Sequence, residues 1–160
     1  MMKRIDPTLV RLPGVSEGKR GEQGRIGYLL RQAQTAHRHL MEQALSAYGL
    51  TPPQFSVLTM LVAYPGASGA DLARLTLLTP QTVSLIVTNL ERMEAIERTA
   101  HPVHGRVLQI AVTATGKALL ARCKTSVRAI DEALVSGTSP EEEQLIRRWL
   151  VKVARLGGST

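Results

Sequence analysis

At 160 residues the chain is one domain, or one compact unit with an appended piece. It is 44% apolar but only 3% aromatic, so its core must be built from Leu, Val, Ile and Ala, which points to helices packed on helices. A single cysteine, Cys123, excludes an intrachain disulfide or a cysteine zinc cage within one chain, and no apolar run nears the ~18 residues of a membrane span. The net charge of +7 favours an acidic partner such as nucleic acid or an anionic surface. The N-terminus has charges without a continuous apolar stretch, so a cytoplasmic protein without a signal peptide or membrane contact is expected.

Residues 1–23 contain Pro7, Pro13 and scattered charges without sustained periodicity and read as a flexible N-terminal arm. From Arg25 apolar residues recur at helical spacing: Ile26, Leu29, Leu30, Ala33, His37, Leu40, Met41, Ala44 and Tyr48, with Gly49 as the stop. In TPPQFSVL, Thr51 caps a helix with Pro52 in its first turn and Phe55, Leu58, Leu61 and Val62 as its buried face. SGAD, residues 68–71, opens a short helix with Leu72 and Leu75, the acid three residues after the serine completing a capping box. TPQT, residues 79–82, starts another, with Thr79 as cap and Val83, Ile86, Val87 and Leu90 as its core stripe.

The period then shortens to two. IERTA and VLQIAVT read as strands, with the loop HPVHGR, residues 101–106, between them. Helical spacing returns in TATGKALLARCKTSVRAIDEALVSG, with Leu119, Cys123, Val127, Ile130 and Leu134 on its seam and Gly137 as its end. SPEE, residues 139–142, caps a last helix whose Leu145, Trp149, Val153 and Leu156 should face inward.

Two short helices joined by a tight turn and followed by a hairpin make a winged helix-turn-helix, so the expected fold is mostly α with a small β-hairpin wing. The second of those helices carries Thr79, Gln81 and Thr82 in its first turn and Leu85, Asn89 and Arg92 on its outward face. Amide and hydroxyl groups there can bond base edges, and free N–H groups at a helix start attract phosphate. Leu85 fits either a thymine methyl or an ordinary surface leucine.

GLTPPQFSVL, SGADLARLT, TPQTVSLIVTNLERMEAIERT and HGRVLQIAVTATGKALL resemble the MarR family of bacterial transcriptional regulators over residues 25–156. The resemblance implies a homodimer that binds a palindromic operator in double-stranded DNA, usually as a repressor released by a small organic effector. It implies an arm at 1–23, a dimerisation region of helices at 24–50 and 114–157, and a DNA-binding lobe at 51–113. By position, Gln81, Thr82, Ser84, Leu85, Thr88 and Asn89 would belong to the recognition helix, and Arg106 would be the wing-tip arginine reaching the minor groove. Many members have arginine at Leu85 and aspartate at His104; here His104 would meet phosphate instead of steering Arg106. The family's ligand pocket, between interface and DNA-binding lobe, directs attention to His37, and less strongly to Arg31, Tyr48, Phe55 and Met60.

Other chemistries find less support. His101 and His104 are spaced for a metal, yet no acid or cysteine in the loop completes a set, so no metal or other cofactor is assigned. Cys123 on a helix seam should have its thiol pKa raised by burial, which disfavours a redox switch. No nucleophile elbow, phosphate loop or carboxylate pair is present, so no enzyme is expected. Residues 51–110 hold Arg74, Arg92, Arg98 and Arg106 against Asp71, Glu91, Glu94 and Glu97, a formally neutral lobe. That balance keeps open a protein-interaction module that does not bind DNA, with a metal- or redox-sensing regulator as a further alternative.

Overall fold

The computed structural model describes residues 12–100 and 108–157. A 3-10 turn at Gly18–Arg20 precedes α1 (Ile26–Ser46), α2 (Pro52–Ala63), α3 (Gly69–Thr76) and α4 (Pro80–Arg92). Strands β1 (Ile96–Ala100) and β2 (Leu108–Val112) follow, then α5 (Ala114–Leu134) and α6 (Pro140–Gly157). The strands pair antiparallel, from Ile96 opposite Val112 to Ala100 opposite Leu108. The chain divides within α1 into two units, residues 1–39 and residues 40–160.

Local chemistry sets the helix starts. Thr51 Oγ1 accepts from the Gln54 N–H at 3.4 Å, and Gln54 Oε1 accepts from the Thr51 N–H at 2.9 Å, a reciprocal box that opens α2. Ser68 and Asp71 repeat it at α3, and Ser139 and Glu142 at α6. Thr113 caps α5 by accepting from the Gly116 N–H at 3.1 Å. The same threonine donates its hydroxyl to the Glu94 carbonyl at 2.6 Å and its N–H to Ala95 at 3.1 Å. One residue thereby joins the end of the hairpin to the turn that leaves α4.

The core of the second unit gathers Met41, Leu45, Leu58, Leu72, Leu90, Ile96 and Cys123, with α2, α3 and α4 packed on one another and on the hairpin. The stripe expected on α4, Val83, Ile86, Val87 and Leu90, is buried throughout. Elsewhere the faces differ from expectation. In α2 the buried residues are Val57, Leu58 and Leu61, whereas Val62 is 48% exposed. That helix is apolar nearly all round, so spacing alone could not choose its inward side.

In α1 only Met41 and Leu45 are buried; Ile26, Ala33 and Leu40 are exposed. In α3 Leu72 and Ala73 are buried, whereas Leu75 is exposed. In α5 Cys123 and Ile130 are buried while Leu134, at the helix end, is exposed. α6 buries nothing at all: Leu145, Trp149 and Leu156 are exposed and Val153 is half-buried. Amphipathic spacing reveals that a helix has an apolar side, not what covers it. The 3-10 turn at Gly18–Arg20 stands within the stretch expected to be a flexible arm.

Candidate nucleic-acid interface

α4 presents its polar side to solvent because its apolar stripe is anchored on the opposite side. Gln81, Thr82, Ser84, Leu85 and Arg92 are exposed, and Thr88 and Asn89 are half-buried. Leu85 is 63% exposed, on a face otherwise made of amides and hydroxyls. Arg92 stands in the last turn, where the helix dipole favours a cation.

The first turn of α4 is less open than its composition implies. Thr79 Oγ1 lies 2.8 Å from Thr82 Oγ1 and accepts from the Thr82 N–H at 3.2 Å. Pro80 has no N–H. Among the described residues this leaves Gln81 with the first-turn donor that no protein group engages, so the expected cluster of free N–H groups reduces to one. Thr88 is committed too: its hydroxyl donates to the Ser84 carbonyl at 3.0 Å and accepts from Arg98 at 3.2 Å. Among the described residues the side chains of Gln81, Ser84, Leu85, Asn89 and Arg92 are therefore the ones of the set that no hydrogen bond or ion pair engages.

Arg98 is the residue that sequence reasoning missed. It bridges Thr88 and Glu91, meeting the Glu91 carboxylate at 3.1 Å, and so fastens β1 to α4. The signal was present in the alternation of IERTA. Residues two apart share a face of a strand, so Arg98 lies on the side of Ile96, which is buried against the core. The same arginine borders a cleft of about 320 Å³ with Pro80, Val83, Ser84 and Val87.

His101, His104 and Arg106 lie outside the described residues, so the wing tip is not placed. Among the described residues no group of three or more His, Cys, Asp or Glu side chains is arranged to hold a metal. Cys123 is fully buried, and burial pushes its thiol pKa up, against a smaller opposing effect of Arg122. Asp71 is held below the usual carboxylate range by the Ser68 hydroxyl and N–H, with Arg74 adding to the effect.

The five residues considered for an effector have different surroundings. Phe55 lines a groove of about 560 Å³ between α2 and α5, together with Thr59, Leu120, Lys124 and Arg128. Tyr48 packs on the core, with its hydroxyl 3.1 Å from Ser126 Oγ and the Arg122 guanidinium over its ring. Met60 also packs on the core. Arg31 stands over the Tyr28 ring, and His37 is half-buried on α1.

A family model described as MarR family matches residues 48–107, the stretch from just after α1 to just before β2. The HTH-type transcriptional repressor Rv2887 of Mycobacterium tuberculosis is 37% identical over 128 residues, covering 80% of this chain and 92% of its own length. The chain belongs to the MarR family. Two solved structures share the fold. The MarR family protein Rv2887 in complex with salicylic acid is 36% identical with a TM-score of 0.66, over 82% of this chain and 98% of the other. The S. aureus MepR–DNA complex is 27% identical with a TM-score of 0.76, over 82% and 97%. In this MarR protein α3, α4 and the hairpin form the winged helix-turn-helix. Among the described residues no helix is long and apolar enough to cross a membrane.

Proposed function

We propose that this MarR protein is a cytoplasmic transcriptional repressor, without enzymatic activity, that binds a palindromic operator as a homodimer. Residues 24–50 and 114–157 serve dimerisation, residues 51–113 form the DNA-binding lobe, and residues 1–23 form an arm. The observation that carries this reading is the outward side of α4. A helix capped by Thr79 and anchored by four buried apolar residues leaves Gln81, Ser84, Leu85 and Asn89 facing outward. That arrangement suits insertion into a major groove, where amides bond base edges and an apolar side chain meets a thymine methyl. Thr79 and Thr82 shape the helix start, Thr88 and Arg92 flank the reading surface, and Arg106 with His104 would reach the backbone or minor groove from the wing.

Two-fold docking separates the half-sites by about 10 bp. A small organic anion or aromatic shifts the population toward a spacing of recognition helices that misfits the operator. Arg31, His37, Tyr48, Phe55 and Met60 are the residues assigned to that effector; the salicylic acid complex of Rv2887 supports the ligand class.

Retardation of the DNA upstream of the protein's own gene, at two salt concentrations, tests the reading. Sequence-specific, salt-sensitive binding that Gln81→Ala weakens is expected. The neutral charge of residues 51–110 favours a second reading, a winged-helix interaction module, and absence of retardation at micromolar protein would favour it over the first.

A further inference from the structure

The end of α4 and the start of α5 are built into one structure. α4 closes in a Schellman turn: the Glu94 N–H donates to the Glu91 carbonyl at 2.9 Å, and the Ala95 N–H reaches back to the Leu90 carbonyl at 2.9 Å. Leu90 and Ala95, the apolar pair that accompanies such a turn, are both fully buried. The turn requires a left-handed residue, and that position is held by Glu94 at φ +55°, where glycine is usual. A glutamate exposed to solvent gives that conformation no help of its own. Support for the turn must come from outside it.

Thr113 supplies it. The carbonyls of Glu94 and Ala95 accept from the Thr113 hydroxyl at 2.6 Å and from its N–H at 3.1 Å. The same Oγ1 accepts from the Gly116 N–H and so opens α5, a helix of 21 residues anchored in the core by Cys123 and Ile130. Gly116 lets the two helix ends close on one another, since it leaves no room for a Cβ against the Ala95 carbonyl. We infer that Thr113 is a positioning residue, a clamp through which the orientation of α5 sets that of α4. It couples the dimerisation region proposed above to the helix proposed to read DNA. The clamp rests on that repressor reading and adds the point at which an effector's shift is passed on. At 1.5 Å per residue α4 is about 20 Å long, so a swing of about 10° at its clamped end moves Gln81 by about 3 Å, close to one base-pair step. Small rotations at Thr113 thus decide whether the reading surface keeps its register.

Native-state hydrogen exchange on the full chain tests the clamp, comparing wild type with Thr113→Val, which replaces the hydroxyl by a methyl group and keeps the N–H. Two amides report on it because the substitution leaves their acceptors in place: Ala95, bonded to Leu90, and Lys117, bonded to the Thr113 carbonyl at 3.0 Å. In wild type they should open together, with protection factors within about two-fold of one another and an equal response to urea. In Thr113→Val they should separate by about ten-fold or more, whereas a residue that merely stabilised the fold would lower both alike. Operator affinity should fall about ten-fold in Thr113→Val. Thr113→Ser, which keeps the hydroxyl, should restore both the shared opening and the affinity. Glu94→Gly suits the left-handed turn and provides a firmer background for the same comparison should Thr113→Val unfold. Matched opening of Ala95 and Lys117 in Thr113→Val, or separated opening with unaltered operator affinity, would overturn the clamp and leave the repressor reading intact. Absence of operator binding by wild type would overturn the repressor reading, and the exchange comparison would still decide whether α4 and α5 are clamped.

Discussion

Arg98 on β1 donates to the hydroxyl of Thr88 on α4, Nη2 to Oγ1, at 3.2 Å. The same nitrogen meets Glu91 at 3.1 Å, so the strand leading into the wing is fastened to two successive turns of α4. The ties are partly exposed, which limits their worth to stability to under about 1 kcal/mol each. Their geometric effect is larger, because they set the angle between helix and wing that must fit one DNA duplex. Arg98→Met should therefore lower operator affinity several-fold while moving the unfolding midpoint by little. Equal loss of affinity and stability would mean that Arg98 acts only through folding.

Gly116 is required by a close approach. It lies in the first turn of α5, and a Cβ there would overlap the carbonyl oxygen of Ala95 and come within 2.8 Å of Val112 Cγ1. Both neighbours belong to the segment that Thr113 fastens to α5, so neither can retreat without opening that junction. Gly116→Ala gains about 1 kcal/mol in helix propensity but forces overpacking that costs about 1–3 kcal/mol. A net loss of stability is expected in urea unfolding, and an unchanged or raised midpoint would contradict the close approach.

Leu77 ends α3 in the left-handed region, at φ +57°, with 91% of its surface exposed. A β-carbon in that conformation costs about 1–2 kcal/mol, and the exposed side chain recovers nothing by burial. Leu77→Gly should raise stability by up to about 1 kcal/mol, part of the gain being offset by greater freedom of the unfolded chain. Thermal unfolding of the two proteins, side by side, checks it.

Much of this architecture was legible because its determinants are local. Caps at Thr51, Ser68, Thr79 and Ser139 each need only a side chain and the N–H three residues on, and all four form. The stripe of α4 was equally plain, since polar residues fill the other side of that helix. Three things were not legible. Val62 could not be told from Val57 in a helix apolar all round. Leu77 occupies a conformation that usually announces itself with glycine. The tie from Arg98 to Thr88 joins residues ten apart through a turn, and the alternation that puts Arg98 on the side of Ile96 does not state which polar group it will meet.

Asp71 links stability to pH. The Ser68 hydroxyl and N–H hold its carboxyl below the ordinary 3.8, with a further contribution from Arg74. A depressed folded-state pKa contributes stability above the unfolded value, lost as pH falls through the folded one. Wild-type protein should therefore lose this contribution only below about pH 4, where unfolded aspartate titrates. Asp71→Asn should destabilise the protein at neutral pH and unfold with a shallower acid dependence over that window. Parallel acid limbs for the two proteins would show that the capping box contributes no pH dependence.

Cys123 should be inert in the folded protein. It is fully buried, and desolvation raises its thiol pKa above the ordinary 9.0, so little thiolate is present or reachable near neutrality. A thiol reagent such as Ellman's should react at the rate of unfolding and immediately in denaturant. Cys123→Ser should leave operator binding insensitive to peroxide, as in wild type, while lowering stability by about 1–3 kcal/mol through an unsatisfied hydroxyl. Rapid labelling of native protein would revive the redox-sensing alternative.

The last helix carries the most consequential unpaired surface. α6 buries none of its residues, yet Leu145, Ile146, Trp149, Leu150 and Leu156 recur along it at helical spacing. Apolar faces of this kind on a monomer mark association sites. If a second copy covers α6, Trp149, the one tryptophan of the chain, becomes buried on assembly. Its fluorescence should then shift to the red on dilution, at the concentration where sedimentation shows the dimer dissociating. Leu150→Glu should bring that transition to much higher protein concentration and weaken operator binding with it, since two-fold docking needs both recognition helices. A dimer that persists in Leu150→Glu, with unmoved Trp149 emission, would place the subunit contact elsewhere.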